Sequence, residues 1–172
     1  MLEDGSVYEG TARGDFKETA CEIVFNTSMT GYVEILTDPS YAGQGVVMTY
    51  PMIGNYGISR EDFESERLQP SAFIVHELSS DPSNFRCTDT IENLLKEYNI
   101  PCISGVDTRA VVKKLRESGT MRGVLTSDIG DRERLMDVIK SFRQIDLVGS
   151  VTAKQTKVYG EENTGAEIAL MD

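Results

Sequence analysis

The chain has 172 residues, 28 of them acidic and 17 basic, with a formal net charge of −11. That length supports one domain with a proper core, and that charge argues against a surface built to neutralise nucleic-acid phosphates or anionic lipid headgroups. No run approaches the roughly 20 apolar residues of a membrane-spanning helix, and Met1-Leu2-Glu3-Asp4-Gly5 has neither the basic nor the apolar region of a signal peptide, so the chain reads as cytosolic.

The first half reads as strand and turn. An Asp4-Gly5 turn signal precedes β-formers from Ser6 to Ala12, Glu18 to Phe25 alternates into an apolar run, and Gly45–Tyr50 and Ala72–Leu78 are short β-branched segments. Between them, residues Phe25 to Tyr50 mix small polar residues, glycines and aromatics in a stretch that looks too polar for a core element, and Pro51 to Gly57 continues it. Such a segment is expected to touch a partner or ligand. The charged run Ser59 to Arg67 has little apolar stripe and suits a solvated loop or short helix.

The second half alternates helix and strand. Asp89 and Glu92 have capping-box spacing, Ile91, Leu94, Leu95 and Tyr98 form one apolar face, and Asn99 followed by Pro101 ends that helix. A strand is expected from Ile100 to Ser104. Asp107 or Thr108 then caps a second helix with Val111, Val112 and Leu115 inward, basic residues near its end, and Gly119 as a left-handed stop. Met121 to Thr126 reads as another strand, and Ser127 or Asp128 opens a third helix with Leu135, Met136, Ile139 and Phe142 on one face. The fold class is therefore mixed α and β in a single domain, a β-rich N-terminal half set against a layer of helices. The domain is expected over 1–148, a polar linker over 149–166, and the start of a further domain over 167–172, so the chain reads as a truncated or proteolysed piece.

Little in the residues alone points to catalysis. Cys21, Cys87 and Cys102 are an odd number at wide spacings with no Cys-x-x-Cys pair, and the first and last sit in apolar runs that suit buried, reduced thiols. His76 is the sole histidine and lies in an alternating strand-like run, where a partly exposed structural role is expected. Nucleophile-elbow, phosphate-loop and dinucleotide motifs are absent.

Several separate blocks, in order, resemble one family. Leu2-Glu3-Asp4-Gly5, Phe25 through Gly57, Ser83-Asn84-Phe85-Arg86 and Gly105-Val106-Asp107-Thr108-Arg109 look like the N-terminal domain of the small, glutamine-hydrolysing subunit of carbamoyl phosphate synthetase. Two positions depart from the family pattern: Val33 stands where glutamine is expected and Gly45 where an aliphatic residue is usual.

The resemblance implies a swivelling β/β/α domain in a subunit that hydrolyses glutamine and passes ammonia to a large subunit, which uses bicarbonate and ATP. It implies that the nucleophilic cysteine, histidine and glutamate belong to a C-terminal glutaminase domain, so this piece is expected to be inactive alone. ATP and metal ions would be held by the large subunit, leaving no cofactor here. Ser40, in Thr37-Asp38-Pro39-Ser40-Tyr41, matches a serine that contributes to the glutamine pocket, and a hydroxyl on a rigid Asp-Pro turn suits that task. Asn26, Thr27, Ser28, Thr30 and Gly31 suit either a contact with the large subunit or missing domain, or a tight turn. Asn84, Arg86, Asp107 and Arg109 suit either a structural hydrogen-bond network or a partner surface. A freestanding scaffold module of the same fold is the alternative reading.

Overall fold

In the computed structural model, which describes residues 1–14, 16–143, 146–158 and 168–169, the mixed α and β character is plain. The N-terminal region supplies β1 (Thr11–Arg13), β2 (Thr19–Asn26), α1 (Tyr32–Thr37), β3 (Gln44–Met48), β4 (Met52–Ile53), β5 (Ala72–Ile74) and β6 (Glu77–Leu78). The rest supplies α2 (Ile91–Glu97), β7 (Cys102–Ser104), α3 (Thr108–Ser118), β8 (Met121–Leu125), α4 (Arg132–Ser141) and α5 (Leu147–Val151).

Six strands form one sheet in the order β1-β7-β5-β3-β2-β8, and β4 pairs with β6 in a small separate sheet. The neighbours β2, β3, β5 and β7 run parallel, while β1 and β8 close the two edges antiparallel. Parallel neighbours need a crossover, and α1 supplies it between β2 and β3, α2 between β5 and β7.

Side chains alternate across the sheet, so β3 sends Val46 and Met48 to one core and Val47 to the other. The first core gathers Tyr32, Val33, Ile35 and Leu36 of α1 with Ile91, Leu94 and Leu95 of α2. The second packs Val111 and Leu115 of α3 against Cys21, Ile23 and Ile74. Leu135 and Ile139 of α4 cover Val124 and Ala20 at the β8 end. Helices therefore lie on both faces of the sheet rather than in one layer, because β3 and β5 are apolar on both sides.

Several boundaries shift for identifiable reasons. The strand expected over Ser6–Ala12 is confined to Thr11–Arg13, which pairs with β7 in the register Thr11 to Ser104. Ala72–Leu78 divides into β5 and β6, which join different sheets, and His76 lies at the bend between them with Nδ1 3.1 Å from the Val106 carbonyl. Thr90, not Asp89, caps α2, its hydroxyl accepting from the Asn93 N–H at 3.2 Å. Asp107 caps α3 by accepting from the Ala110 N–H at 2.9 Å. Gly119 ends α3 with φ 83, but its ψ of −169 lies outside the left-handed helical well. The cap of α4 is Asp131, not Ser127 or Asp128, because Asp128 is taken up in a turn that accepts the Gly130 N–H. On α4, Leu135 and Ile139 are buried while Met136 and Phe142 are only half-buried. The run Ser59–Arg67 holds a single 3-10 turn, Arg60–Asp62. Helix α5 runs through the boundary expected at 148/149, and of the further domain expected to start over 167–172 only Ile168 and Ala169 are described.

Both departures from the family pattern have a local cause. Val33 is fully buried in the first core, where an apolar side chain needs no partner. A Cβ on Gly45 would lie 2.7 Å from Cys21 Sγ and 2.8 Å from Ile23 Cδ1, so two larger side chains on β2 fill the space that an aliphatic residue would take.

Candidate functional site

The stretch from Phe25 to Gly57 is not the polar surface loop its composition suggests. Tyr32, Val33 and Leu36 of α1 and Val46, Val47 and Met48 of β3 are among the most buried side chains of the chain. The polar residues between them tie loops together. Tyr32 and Tyr56 stack with ring centroids 4.2 Å apart. The Tyr56 hydroxyl accepts from the Gly31 N–H at 2.7 Å and the Tyr32 N–H at 3.2 Å, while the Tyr32 hydroxyl donates to the Gly57 carbonyl at 2.8 Å and accepts from the Tyr56 N–H at 3.2 Å. Burial pushes both phenols above their usual range, which keeps them neutral and able to donate. Beside this pair, Glu34 Oε2 is buried without a hydrogen-bond partner among the described residues.

Ser40 sits in the 3-10 turn Pro39–Tyr41 that follows α1. Asp38 caps this turn by accepting from the Ser40 N–H at 2.8 Å, and proline at the first position fixes the entry. Tyr41 accepts from Asn26 Nδ2 at 2.8 Å through its hydroxyl, and Asn26 Oδ1 accepts from the Ser28 N–H at 2.7 Å. The Ser40 turn is thereby braced against the end of β2. Ser40 itself is exposed, and among the described residues nothing takes up its hydroxyl.

The residues with two open readings divide. Asn26 and Gly31 serve the local turns, whereas Thr27, Ser28, Met29 and Thr30 are exposed, Met29 at 70 %. Asn84 Oδ1 accepts from the Arg86 N–H, and Arg86 pairs with Asp62 at 2.7 Å and Glu61 at 3.1 Å, which makes both structural. Phe85 between them is 97 % exposed. Asp107 is a helix cap, but Arg109 has no partner among the described residues.

The thiols are placed for packing. Burial pushes Cys21 and Cys102 up to about 12, so neither carries a thiolate near neutral pH. Cys87 is half-buried and donates to the Asp89 carbonyl at 3.4 Å. No hydrogen bond joins a cysteine to His76 among the described residues. No group of three His, Cys, Asp or Glu among them is placed to hold a metal ion, and no helix is long and apolar enough to cross a membrane.

Fold and site together define a mixed-sheet α/β domain whose loops are braced by a stacked pair, the buried Tyr32 and the half-buried Tyr56. The family model for the carbamoyl-phosphate synthase small chain, CPSase domain, matches residues 1–125, and the chain belongs to that family. It is 54 % identical over 173 residues to the carbamoyl phosphate synthase small chain of Fusobacterium nucleatum, covering 100 % of this chain and 48 % of that protein. It is 48 % identical over 176 residues to that of Archaeoglobus fulgidus, covering 99 % and 48 %, and 46 % identical over 173 residues to that of Clostridium perfringens, covering 100 % and 49 %. The chain thus spans about half the length of the curated relatives it matches.

Proposed function

We propose that the chain acts as the N-terminal domain of a glutamine-hydrolysing small subunit, docking a carbamoyl phosphate synthetase large subunit and helping to frame the glutamine site. In this reading, ammonia released from glutamine by a C-terminal domain passes to the large subunit, where bicarbonate and ATP are used. The domain holds no cofactor of its own and supplies no nucleophile, so alone it does not hydrolyse glutamine. Family membership and relatives about twice its length support this reading.

The observation that carries the site is Ser40. A hydroxyl on a turn fixed by Asp38 and Pro39 is pre-oriented, and it retains both donor and acceptor capacity for the polar groups of glutamine. The exposed Thr27–Thr30 loop and Phe85 supply the surface a partner would cover.

The test is Ser40→Ala in a full-length small chain assembled with its large subunit. Losing one such hydrogen bond costs about 1–2 kcal/mol, so glutamine-dependent synthesis falls about 5- to 30-fold while ammonia-dependent synthesis is unchanged. Equal loss of both activities would remove Ser40 from the pocket.

A further inference from the structure

One face of α3 carries Arg109, Lys113 and Arg116, at spacings of four and three residues that align them. With Thr27, Thr49 and Glu117 they line an open concavity of about 610 Å³. Neighbouring cations differ in this: Lys114, next along the same helix, pairs with Asp4 at 3.0 Å, and Arg134 on α4 pairs with Glu18 at 2.7 Å. Arg109, Lys113 and Arg116 have neither an ion pair nor a hydrogen bond among the described residues.

Arg116 lies in the last turn, where a cation suits the helix dipole, but the placement of Arg109 and Lys113 works against the helix. Arg109 lies in the first turn of α3, at the positive end of the helix dipole, and Lys113 repeats its charge one turn on. In a chain of net charge −11, carboxylates to neutralise them are abundant, yet Glu117 is the sole acidic residue lining the concavity. Local choices that oppose stability are expected where function requires them.

The concavity also has a meaningful place in the sheet. Thr27 and Thr49 directly follow the carboxyl ends of the parallel neighbours β2 and β3, held together by the Thr49 N–H donating to the Asn26 carbonyl at 3.1 Å. Binding crevices of parallel sheets form outside these strand ends. Thr27 also begins the exposed loop already assigned to docking, so the two surfaces are continuous.

Resting on the docking reading above, we propose that this face of α3 receives carboxylate side chains of the large subunit. The three cations span two helical turns, about 10 Å along the axis, which is too wide for one phosphate and suits several carboxylates. Because the chain as a whole is net negative, an acidic partner surface is drawn to this cluster of three cations and repelled by much of the remaining surface, which biases its orientation.

The test measures affinity of the chain for its cognate large subunit at low and high salt. The variant Arg109→Glu/Lys113→Glu/Arg116→Glu is expected to weaken binding at least a hundredfold at low salt and to reverse its salt dependence, since salt then screens a repulsion. The control Arg132→Glu/Lys140→Glu, on exposed positions of α4, changes it less than threefold. A structural role for Arg109 would lower the melting temperature on reversal, whereas Arg109→Glu relieves repulsion at the helix start and leaves the melting temperature unchanged or raised. If the triple reversal does not fold, the neutral Arg109→Gln/Lys113→Gln/Arg116→Gln variant is used, with at least tenfold weakening expected. Wild-type affinity retained by the folded charge variants overturns the inference and leaves the docking reading standing. No binding by the wild-type chain overturns both. Displacement by inorganic phosphate, at concentrations where chloride of equal ionic strength has no effect, assigns the concavity to a small oxyanion and likewise overturns it.

Discussion

Removing one oxygen atom tests whether the tyrosine pair braces the loop block. In Tyr32→Phe the ring remains, so the stack on Tyr56 and the apolar contacts persist and only the hydroxyl is lost. That hydroxyl is in a side chain 1 % exposed and serves two backbone groups, the Gly57 carbonyl at 2.8 Å and the Tyr56 N–H at 3.2 Å. A buried backbone group left without a partner costs about 1–3 kcal/mol. Two such groups, one of them only partly buried, give an expected destabilisation of about 3 kcal/mol, or a melting temperature lower by roughly 6–12 °C for a chain of this size. Urea unfolding is the assay, with a lower midpoint and an unchanged slope expected, since the surface exposed on unfolding is the same. A loss below about 0.5 kcal/mol would mean that the two groups find other partners, and the bracing argument would fail.

Two further perturbations probe the sheet and its edge. Gly45→Ala brings a Cβ against Cys21 Sγ and Ile23 Cδ1 and is expected to cost about 1–3 kcal/mol; adding Cys21→Ala should recover at least about 0.5 kcal/mol in a double-mutant cycle, and strict additivity would refute the clash. Glu18 accepts hydrogen bonds from Arg134 and Thr126, the Arg134 bonds above all holding its carboxyl down at about 2 from an ordinary 4.5. A depressed carboxylate stabilises the fold fully above its unfolded value and loses that contribution as pH falls through its folded value, so the effect fades between pH 4.5 and 2. Glu18→Gln should therefore flatten the decline in stability over that window and converge on the wild type below pH 2; an unchanged acid limb in equilibrium unfolding would refute the pairing.

The elements with strong local signals were readable from the residues. The apolar periodicity of α3, the Asp107 cap and the strand runs of β3, β5 and β8 all lie where pattern and capping chemistry place them, to within a few residues. Helix α1 was hidden, although Tyr32, Ile35 and Leu36 have the i, i+3, i+4 spacing of a buried face. With only six residues between a glycine-threonine loop and an Asp-Pro turn, the helix is outweighed in composition by its polar neighbours, and its stability comes from tertiary packing. Ser40 came from a motif resemblance, and the exposed Asp38-braced turn is a property of the folded chain. Arg109 was visible as a motif residue, but whether a cation has a partner depends on residues distant in sequence, as Arg134 and Glu18 show.

By itself the sequence determined family membership, the mixed composition of the domain, the Asp107 cap and the packing role of Cys21 and Cys102, because these depend on residues close together in the chain or on motifs that stand intact. Only the tertiary structure decided that β8 would pair with β2 and β7 would slot between β1 and β5, joining the two halves of the chain in one sheet. Such pairings exchange backbone hydrogen bonds that carry no residue label, and their choice follows from burying both faces of β3 and β5 at once. The same long-range closure turned a polar stretch into a core helix with two braced loops, and left three cations on α3 without carboxylates of their own.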